Sequence, residues 1–437
     1  MSAARNVDAA YLLSYARPEL VRKSTAAAWK RSTAMPERAT DRPYDLVLFG
    51  ATGFTGGLTA QYLAAHLPVD ARWALAGRNQ AKLEAVRERI ISTDSPAPNP
   101  ELLYADVSDT DSLNAFAASA RVVASTVGPY LAYGEPLVAA CARAGTDYLD
   151  LSGEPEFIDR MYLAHHATAV RSGARLVHAC GFDSVPHDLG TLFTIKQLPS
   201  DVPLKIRGVV RSNAMFSGGT LHSALGQMAR ARQMRQAARD RRQAEPGPEG
   251  RRARANARSP HRDSDLRLWL LPLPTCDPMV VKRSAAARSD YGPDFTYSHY
   301  AGMRRVVTLI AAAAGAGCLA ASAQIPPLRR LAGSRIPQGQ GPTESRRARS
   351  WFTVDFIGET AEQKVHTQVC GGDPGYNETA KMLSEAAMCL AYDDNPATAG
   401  QVTTAAAMGE TLLQRLIDAG ITFSTIEPTS RPSMPNH

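Results

Sequence analysis

Along residues 44–180, short apolar runs alternate with stretches whose apolar residues recur every three or four positions. Leu46–Phe49, Trp73–Ala76, Leu102–Tyr104, Val122–Ser125, Tyr148–Leu151 and Leu176–Ala179 read as strands. Leu58–His66, Gln80–Ile91, Ser112–Ser119, Pro136–Ala144 and Phe157–Ser172 read as helices between them. Continuously apolar strands need cover on both faces, so the alternation predicts a parallel sheet wound with helices.

The rhythm changes near Pro186. A short helix over "HDLGTLFTIKQL" leads into longer extended segments, Leu204–Arg211 and Phe295–Tyr300, and then a hairpin of Trp351–Gly358 with Lys364–Cys370. In that hairpin Trp351, Thr353 and Asp355 alternate with Phe352, Val354 and Phe356, the period of a strand with two unlike faces. A second, α+β region with a mostly antiparallel sheet is predicted. Pro-, Gly- and Arg-rich stretches at Glu245–Pro260 and Ile336–Arg349 read as mobile loops. "YNETAKMLSEAAMCLAYD" and "TAGQVTTAAAMGETLLQRLIDAG" read as helices that return to the first region. The expected division is a flexible extension over 1–43, a dinucleotide-binding domain over 44–185, an α+β substrate or dimerisation domain over 186–370 with a disordered basic insert at about 235–262, and a helical segment over 371–437.

Chemistry enters at "DLVLFGATGFTGG". Gly50, Gly53 and Gly56 follow the first strand at intervals of three and open the first helix. Such a turn lets the strand end without a side-chain clash, admits a pyrophosphate close to the backbone, and aims the helix N-terminus at it. Gly50, Thr52, Gly53, Phe54, Thr55 and Gly56 are therefore expected at a dinucleotide, in a Rossmann-type domain. At the end of the second strand, where an acid would take the ribose hydroxyls of NAD, the chain has "LAGRN". Arg78 and Asn79 in that place, with no carboxylate, predict NADP(H), because a guanidinium pairs with a 2′-phosphate that an acid would repel. Asp106 after the third strand is expected near the adenine edge. Ser125, Thr126, Val127 and Gly128 after the fourth are expected along the nicotinamide half.

The formal charge of +7 narrows little, since Arg230–Arg262 holds eleven arginines against Asp240, Glu245 and Glu249. Without interleaved aromatics such a run gives no reason to expect nucleic acid. Six cysteines with no C-x-x-C pair fit a reducing cytoplasm, and no metal site is expected. The first 40-odd residues lack the apolar core of a secretory signal, and Met35 reads as a start of its own behind an extended frame. Val306–Ile325 runs about 20 residues without a charge, the length that crosses a bilayer, but alanine and glycine dominate it. The sequence leaves open a buried helix or one that touches the inner face of a membrane.

"FGATGFTGG", "LAGRN", "STVGPYLAYGEPLVAACARAGTDYLDLSGE", "HACGFDSVPHDLG", "SGGT", "SWFTVDFIGE" and "GGDPGYNETAKML" resemble the saccharopine dehydrogenase-like oxidoreductases, in particular the actinobacterial trans-acting enoyl reductases. The resemblance runs from about Tyr44 to Phe423. It implies NADPH-dependent reduction of a carbon–carbon double bond in a polyketide-derived acyl chain, one carried on a polyketide synthase, in envelope lipid synthesis. His187 stands where the resemblance leads one to expect a small serine-like residue.

Enoyl reduction needs a hydride at the β-carbon, a polarised carbonyl and a proton for the α-carbon. Ligands in this architecture sit at the carboxyl ends of the strands. That selects Tyr130, Asp183 and His187 as catalytic candidates, with Tyr133, Glu154, Ser184 and Tyr376 as neighbours. For Tyr130 the reading leaves open a packing role against the cofactor, and for Asp183 a role as the cap of the next helix. A saccharopine-type C–N oxidoreductase and a non-catalytic NADP(H)-binding, membrane-associated protein remain the alternatives, and a homodimer is open.

Overall fold

A computed structural model describes residues 41–93, 95–214, 226–325 and 341–427, which all fall within one compact unit, Arg38–His437. The chain begins as β1 (Tyr44–Phe49), α1 (Phe54–His66), β2 (Trp73–Gly77), α2 (Gln80–Ile91), β3 (Glu101–Tyr104), α3 (Thr110–Ser119), β4 (Ala120–Ser125), α4 (Tyr130–Tyr133), α5 (Glu135–Ala144), β5 (Asp147–Asp150), α6 (Pro155–Ser172), β6 (Arg175–Val177) and α7 (Val185–Ile195). It continues with β7 (Leu204–Ser212), α8 (Ala231–Ala244), β8 (Arg252–Ala255), β9 (His261–Arg262), β10 (Trp269–Pro272), α9 (Asp277–Ala287), β11 (Asp294–Met303), α10 (Val306–Gln324), α11 (Glu344–Arg347), β12 (Phe352–Glu359) and β13 (Lys364–Gly371). It ends with α12 (Asn377–Tyr392), β14 (Gly400–Val402), α13 (Thr404–Ala407), α14 (Gly409–Asp418) and β15 (Thr422–Thr425).

The first sheet has the order β14-β6-β5-β4-β1-β2-β3, and all its strand pairings among the described residues are parallel. Leu46, Val47 and Leu48 are wholly buried, because helices cover both faces of β1. The order reverses between β1 and β4, and the carboxyl ends of those two strands bound the crevice where ligands of such sheets bind.

The second sheet runs β15-β13-β12-β7-β11-β10-β9, with β8 pairing β11 off this path. Its hairpin has the expected two faces, with Phe352, Val354 and Phe356 wholly buried. It is mostly antiparallel, but β11 pairs β7 and β8 in parallel. The Cβ of Gly190 in α7 would lie 2.4 Å from the Phe356 ring, so the absence of a side chain there lets α7 pack on this sheet.

Four expectations change. Arg42, counted with the extension, is buried and its guanidinium donates to the Ala117 carbonyl at 3.3 Å; residues 1–40 lie outside the described residues, as do 336–340 of the second loop, whose described part holds α11, and the "SGGT" stretch. The basic insert is ordered, as helix α8 followed by β8 and β9. Two of its arginines are taken up by acids on α6: Arg230 pairs Glu156 at 2.6 Å, and buried Arg241 reaches Asp159 at 3.5 Å while lying 4.0 Å over the Tyr162 ring. Charge pairing and the apolar contact of Ala237 fix a helix that composition alone disguised. The second predicted C-terminal helix begins instead with β14, which extends the first sheet beside β6. β15 likewise interrupts the helical tail and pairs β13.

Candidate active site

The glycine turn is built by close contact. Gly50 has φ +96°, and a Cβ on it would lie 2.7 Å from Val127 Cγ2. A Cβ on Gly56 would fall 2.1 Å from the Gly50 carbonyl oxygen, so this glycine alone lets α1 press against the turn. A Cβ on Gly53 would meet only the Gly50 oxygen, at 3.5 Å; the protein leaves room there, which suits a phosphate approaching the backbone. Gly53 is also the N-cap of α1, and no side chain caps the helix. The first-turn N–H groups, including those of Thr55 and Gly56, thus face a site suited to an anion. Thr126 ties β4 to the turn, its hydroxyl donating to the Gly50 carbonyl at 3.1 Å and its N–H to the Phe49 carbonyl at 2.9 Å. Ser125 Oγ accepts from Val127 N–H at 3.4 Å, and Gly128 is joined to Pro129 by a cis peptide bond.

Beyond β2, Arg78 is exposed. Asn79 is first of all a helix cap, its carbonyl oxygen accepting from Lys82 N–H at 3.0 Å, so its expected contact with cofactor is secondary to that role. Thr52, Lys82 and Arg89 line a depression beside the turn. Lys82 and Arg89 were legible as cations one and three turns into the helix after "LAGRN", and sequence reasoning passed over them. Asp106 accepts from both N–H and Oγ of Ser108, at 2.9 and 2.7 Å; these bonds hold its carboxyl below the usual range, and Arg78 adds to the effect. Phe54 stands edge-on to Tyr376 at 4.8 Å with Arg347 over its other side at 5.2 Å, so the C-terminal region does return to this turn.

Tyr130 proves to be structural. Its phenol donates to the Ser125 carbonyl at 3.0 Å and accepts from Leu151 N–H at 3.1 Å, and burial pushes its pKa far up. A phenol committed to two backbone groups has no proton to deliver. Glu154 clasps the same corner, accepting from the N–H groups of Tyr130 and Leu131 at 3.2 and 2.9 Å. Tyr133 is exposed.

After β6 the backbone is held in an unusual path. Ala179 takes φ +62°, and Asp150 secures it by accepting from Ala179 N–H at 3.1 Å and meeting His178 Nδ1 at 2.7 Å. A non-glycine residue in this region marks a loop over-determined by its surroundings. It leads into the loop beyond β6 that carries Asp183. Asp183 is not the cap of α7; Ser184 takes that position, without a side-chain cap bond. The Asp183 carboxylate lies over Gly153, whose Cβ would be 2.8 Å from Oδ2, and the residue as a whole is partly exposed. Burial first, then the charge of Asp277, raise its pKa to about 6, with His187 offsetting part of the rise.

His187 belongs to a cluster that sequence reasoning did not assemble. Its Nδ1 lies 2.7 Å from Asp277 Oδ1, and His299 Nε2 lies 3.7 Å from Asp277 Oδ2. The side chains are only 2%, 3% and 1% exposed, respectively. Burial pushes Asp277 up, but the two imidazoles outweigh it and hold the carboxyl low; burial takes His299 down to about 4. The three could offer ligand atoms within 4.8 Å of one another to a metal ion. Yet two ligands of one tetrahedral ion stand roughly 3.3 Å apart, given bonds of about 2.0–2.2 Å. The closer His187–Asp277 approach is that of a directly paired imidazole and carboxylate, and Asp183 feels the charge of both residues. No sequence signal joins Asp277 and His299 to His187, since 90 and 112 positions separate them.

His165 and His166 take different partners, as expected of adjacent helix positions. His165 faces Glu135 at 3.5 Å, and His166 Nδ1 accepts from Gln401 N–H at 3.0 Å. All six cysteines are free.

Residues 46–177 match the family described as the saccharopine dehydrogenase NADP binding domain. A Mycobacterium tuberculosis protein provisionally named a trans-acting enoyl reductase is 38% identical over 418 residues, covering 89% of this chain and 98% of its own. A trans-acting enoyl reductase of Mycobacterium leprae is 35% identical over 427 residues, with coverages of 88% and 98%. The apo saccharopine dehydrogenase (L-Glu forming) of Saccharomyces cerevisiae shares the fold at TM-score 0.52 and 13% identity, over 87% of this chain and 99% of that one. The chain is an NADP-dependent oxidoreductase of the saccharopine dehydrogenase-like class and belongs to the trans-acting enoyl reductase family.

Proposed function

We propose that the protein reduces the α,β-double bond of a polyketide-derived acyl thioester, and that Asp183 delivers the proton to the α-carbon. NADPH, when bound, supplies the hydride for the β-carbon. The glycine turn and the uncapped start of α1 hold the pyrophosphate, and the 2′-phosphate falls to Arg78 with Lys82 behind it.

The observation that carries the chemical reading is Asp183: a carboxyl on a partly exposed residue, beyond the carboxyl end of β6, with a pKa raised to about 6. A group with that pKa keeps an appreciable protonated fraction at cellular pH and is still acidic enough to protonate a developing enolate. His187 and Asp277 sit behind it as positioning residues: the ionised Asp277 disfavours a second negative charge, and His187 limits that effect. Hydride addition makes the C–H bond at the β-carbon as the double-bond pair shifts toward the thioester; Asp183 O–H then gives its proton to the α-carbon and is restored from solvent.

The substrate class rests on the family's name and on the earlier resemblance, with cytoplasmic placement and a synthase-borne acyl chain as parts of the same proposal. The test is NADPH oxidation with enoyl thioesters of increasing chain length, on coenzyme A and on an acyl carrier protein. Saturated product formed in step with NADPH loss supports the reading. Tight NADPH binding with no turnover on any acyl length or carrier would overturn it in favour of a cofactor-binding protein without catalysis.

A further inference from the structure

Helix α10, VVTLIAAAAGAGCLAASAQ, carries no charge along its 19 residues and has no polar side to turn toward water. A helix apolar on every side is ordinarily buried, in a protein core or in hydrocarbon. The described residues provide very little cover here. Val307 is 71% and Ile310 60% exposed, and a Cβ at Gly315 or Gly317 would meet nothing within 4 Å. Leu309 and Ala323 are its buried positions among the described residues.

At 1.5 Å per residue the helix is about 28 Å long, close to the thickness of bilayer hydrocarbon. Both ends are nevertheless tied to the same folded body. The helix leans on β10 and β11, and near its end Gln324 Nε2 donates to the Met228 carbonyl at 2.7 Å. A helix fastened at both ends to one body lies along a surface and does not cross it. Arg304 and Arg305, both exposed, stand at its start, where phosphate headgroups would meet them.

We propose that α10 is a monotopic anchor: it sinks into one leaflet of an anionic lipid bilayer and holds the folded body against that surface. A second copy of the chain would cover one stripe of the helix and leave the other faces in water; only a fluid apolar phase covers all of them. The backbone polar groups are satisfied within the helix, so burial in lipid leaves none of its interior N–H groups stranded.

The experiment is flotation of the full chain with vesicles of phosphatidylethanolamine and phosphatidylglycerol. Wild type is expected to float with the vesicles. The Val307→Asp/Ile310→Asp double variant changes only exposed side chains and should lose at least about tenfold in bound fraction, because two aliphatic groups leave the lipid and two charges oppose entry. Unchanged NADPH binding by this variant shows that it is folded. Arg304→Ala/Arg305→Ala should weaken binding to these vesicles and leave binding to phosphatidylcholine vesicles alone. The proposal fails if wild type does not float, or if the double variant floats equally well. It also fails if wild type is a lipid-free dimer that the double variant splits, which would make a second copy the occupant. None of these outcomes depends on which acyl substrate is reduced.

Discussion

Replacing Asp183 by Asn should stabilise the protein and cripple it at once. A carboxyl whose pKa rises from 3.8 to about 6 on folding costs the native state free energy whenever it is ionised. At 1.36 kcal/mol per pKa unit the full cost is roughly 3 kcal/mol, an upper bound because the residue is partly exposed. The native group binds its proton more tightly than the unfolded one. The cost is therefore complete above pH 6, fades as pH falls from 6 toward 4, and vanishes below both values. Asn lacks the charge, so Asp183→Asn should raise unfolding free energy by about 1–3 kcal/mol at pH 8 and leave it nearly unchanged near pH 4. Urea titrations followed by tryptophan fluorescence measure this. Over the same range the wild-type kcat should fall as pH rises through about 6, and the variant should lose about 10²–10³-fold in kcat together with that pH limb. Asp183→Asn that is less stable at pH 8, or that keeps wild-type kcat, would refute the assignment.

Arg78→Ala should weaken NADPH by about 1–3 kcal/mol and leave NADH unaffected, as read by fluorescence titration of both nucleotides; equal losses would remove Arg78 from the 2′-phosphate. Gly56→Ala places a Cβ 2.1 Å from the Gly50 oxygen, so α1 must shift; a stability loss of about 1–3 kcal/mol and at least tenfold weaker NADPH binding are expected from melting curves and titration. Arg241→Met should cost about 3 kcal/mol in urea unfolding without changing NADPH affinity, because it leaves buried Asp159 with Arg283 as its remaining cation. Tyr130→Phe should lower stability by about 1 kcal/mol and keep its activity, since the phenol bonds backbone and not substrate.

What the sequence disclosed was local. The turn from Gly50 to Gly56 could be read because glycine is required where a Cβ would strike the neighbouring turn, and its partners lie on the adjoining strand. The first six strands, and five of the six helices among them, followed from apolar runs and helical spacing within single segments; the short α4 did not. The cluster of His187, Asp277 and His299 could not be read, because only tertiary packing brings α7, α9 and β11 together. Helix α8 was hidden by its composition: its six charged positions look like a solvated charge run until the acids of α6 are brought beside it. Tyr130 and Asp183 shared a place at the strand ends, and only their hydrogen bonds separated them. One phenol is saturated by backbone partners, while the carboxyl sits on a partly exposed residue and feels the charge of Asp277.

The central claim is that hydride and proton arrive at adjacent carbons from different sources. Reaction of an enoyl thioester with NADPH deuterated at the transferred C4 position, in ordinary water, followed by mass and NMR analysis of the product, tests it most directly. The account predicts deuterium on the β-carbon alone, and with unlabelled NADPH in heavy water a single solvent deuterium on the α-carbon. Absence of NADPH-derived deuterium from the β-carbon, or transfer instead to a carbon bearing nitrogen when an imine-forming amino acid pair is supplied, would contradict it.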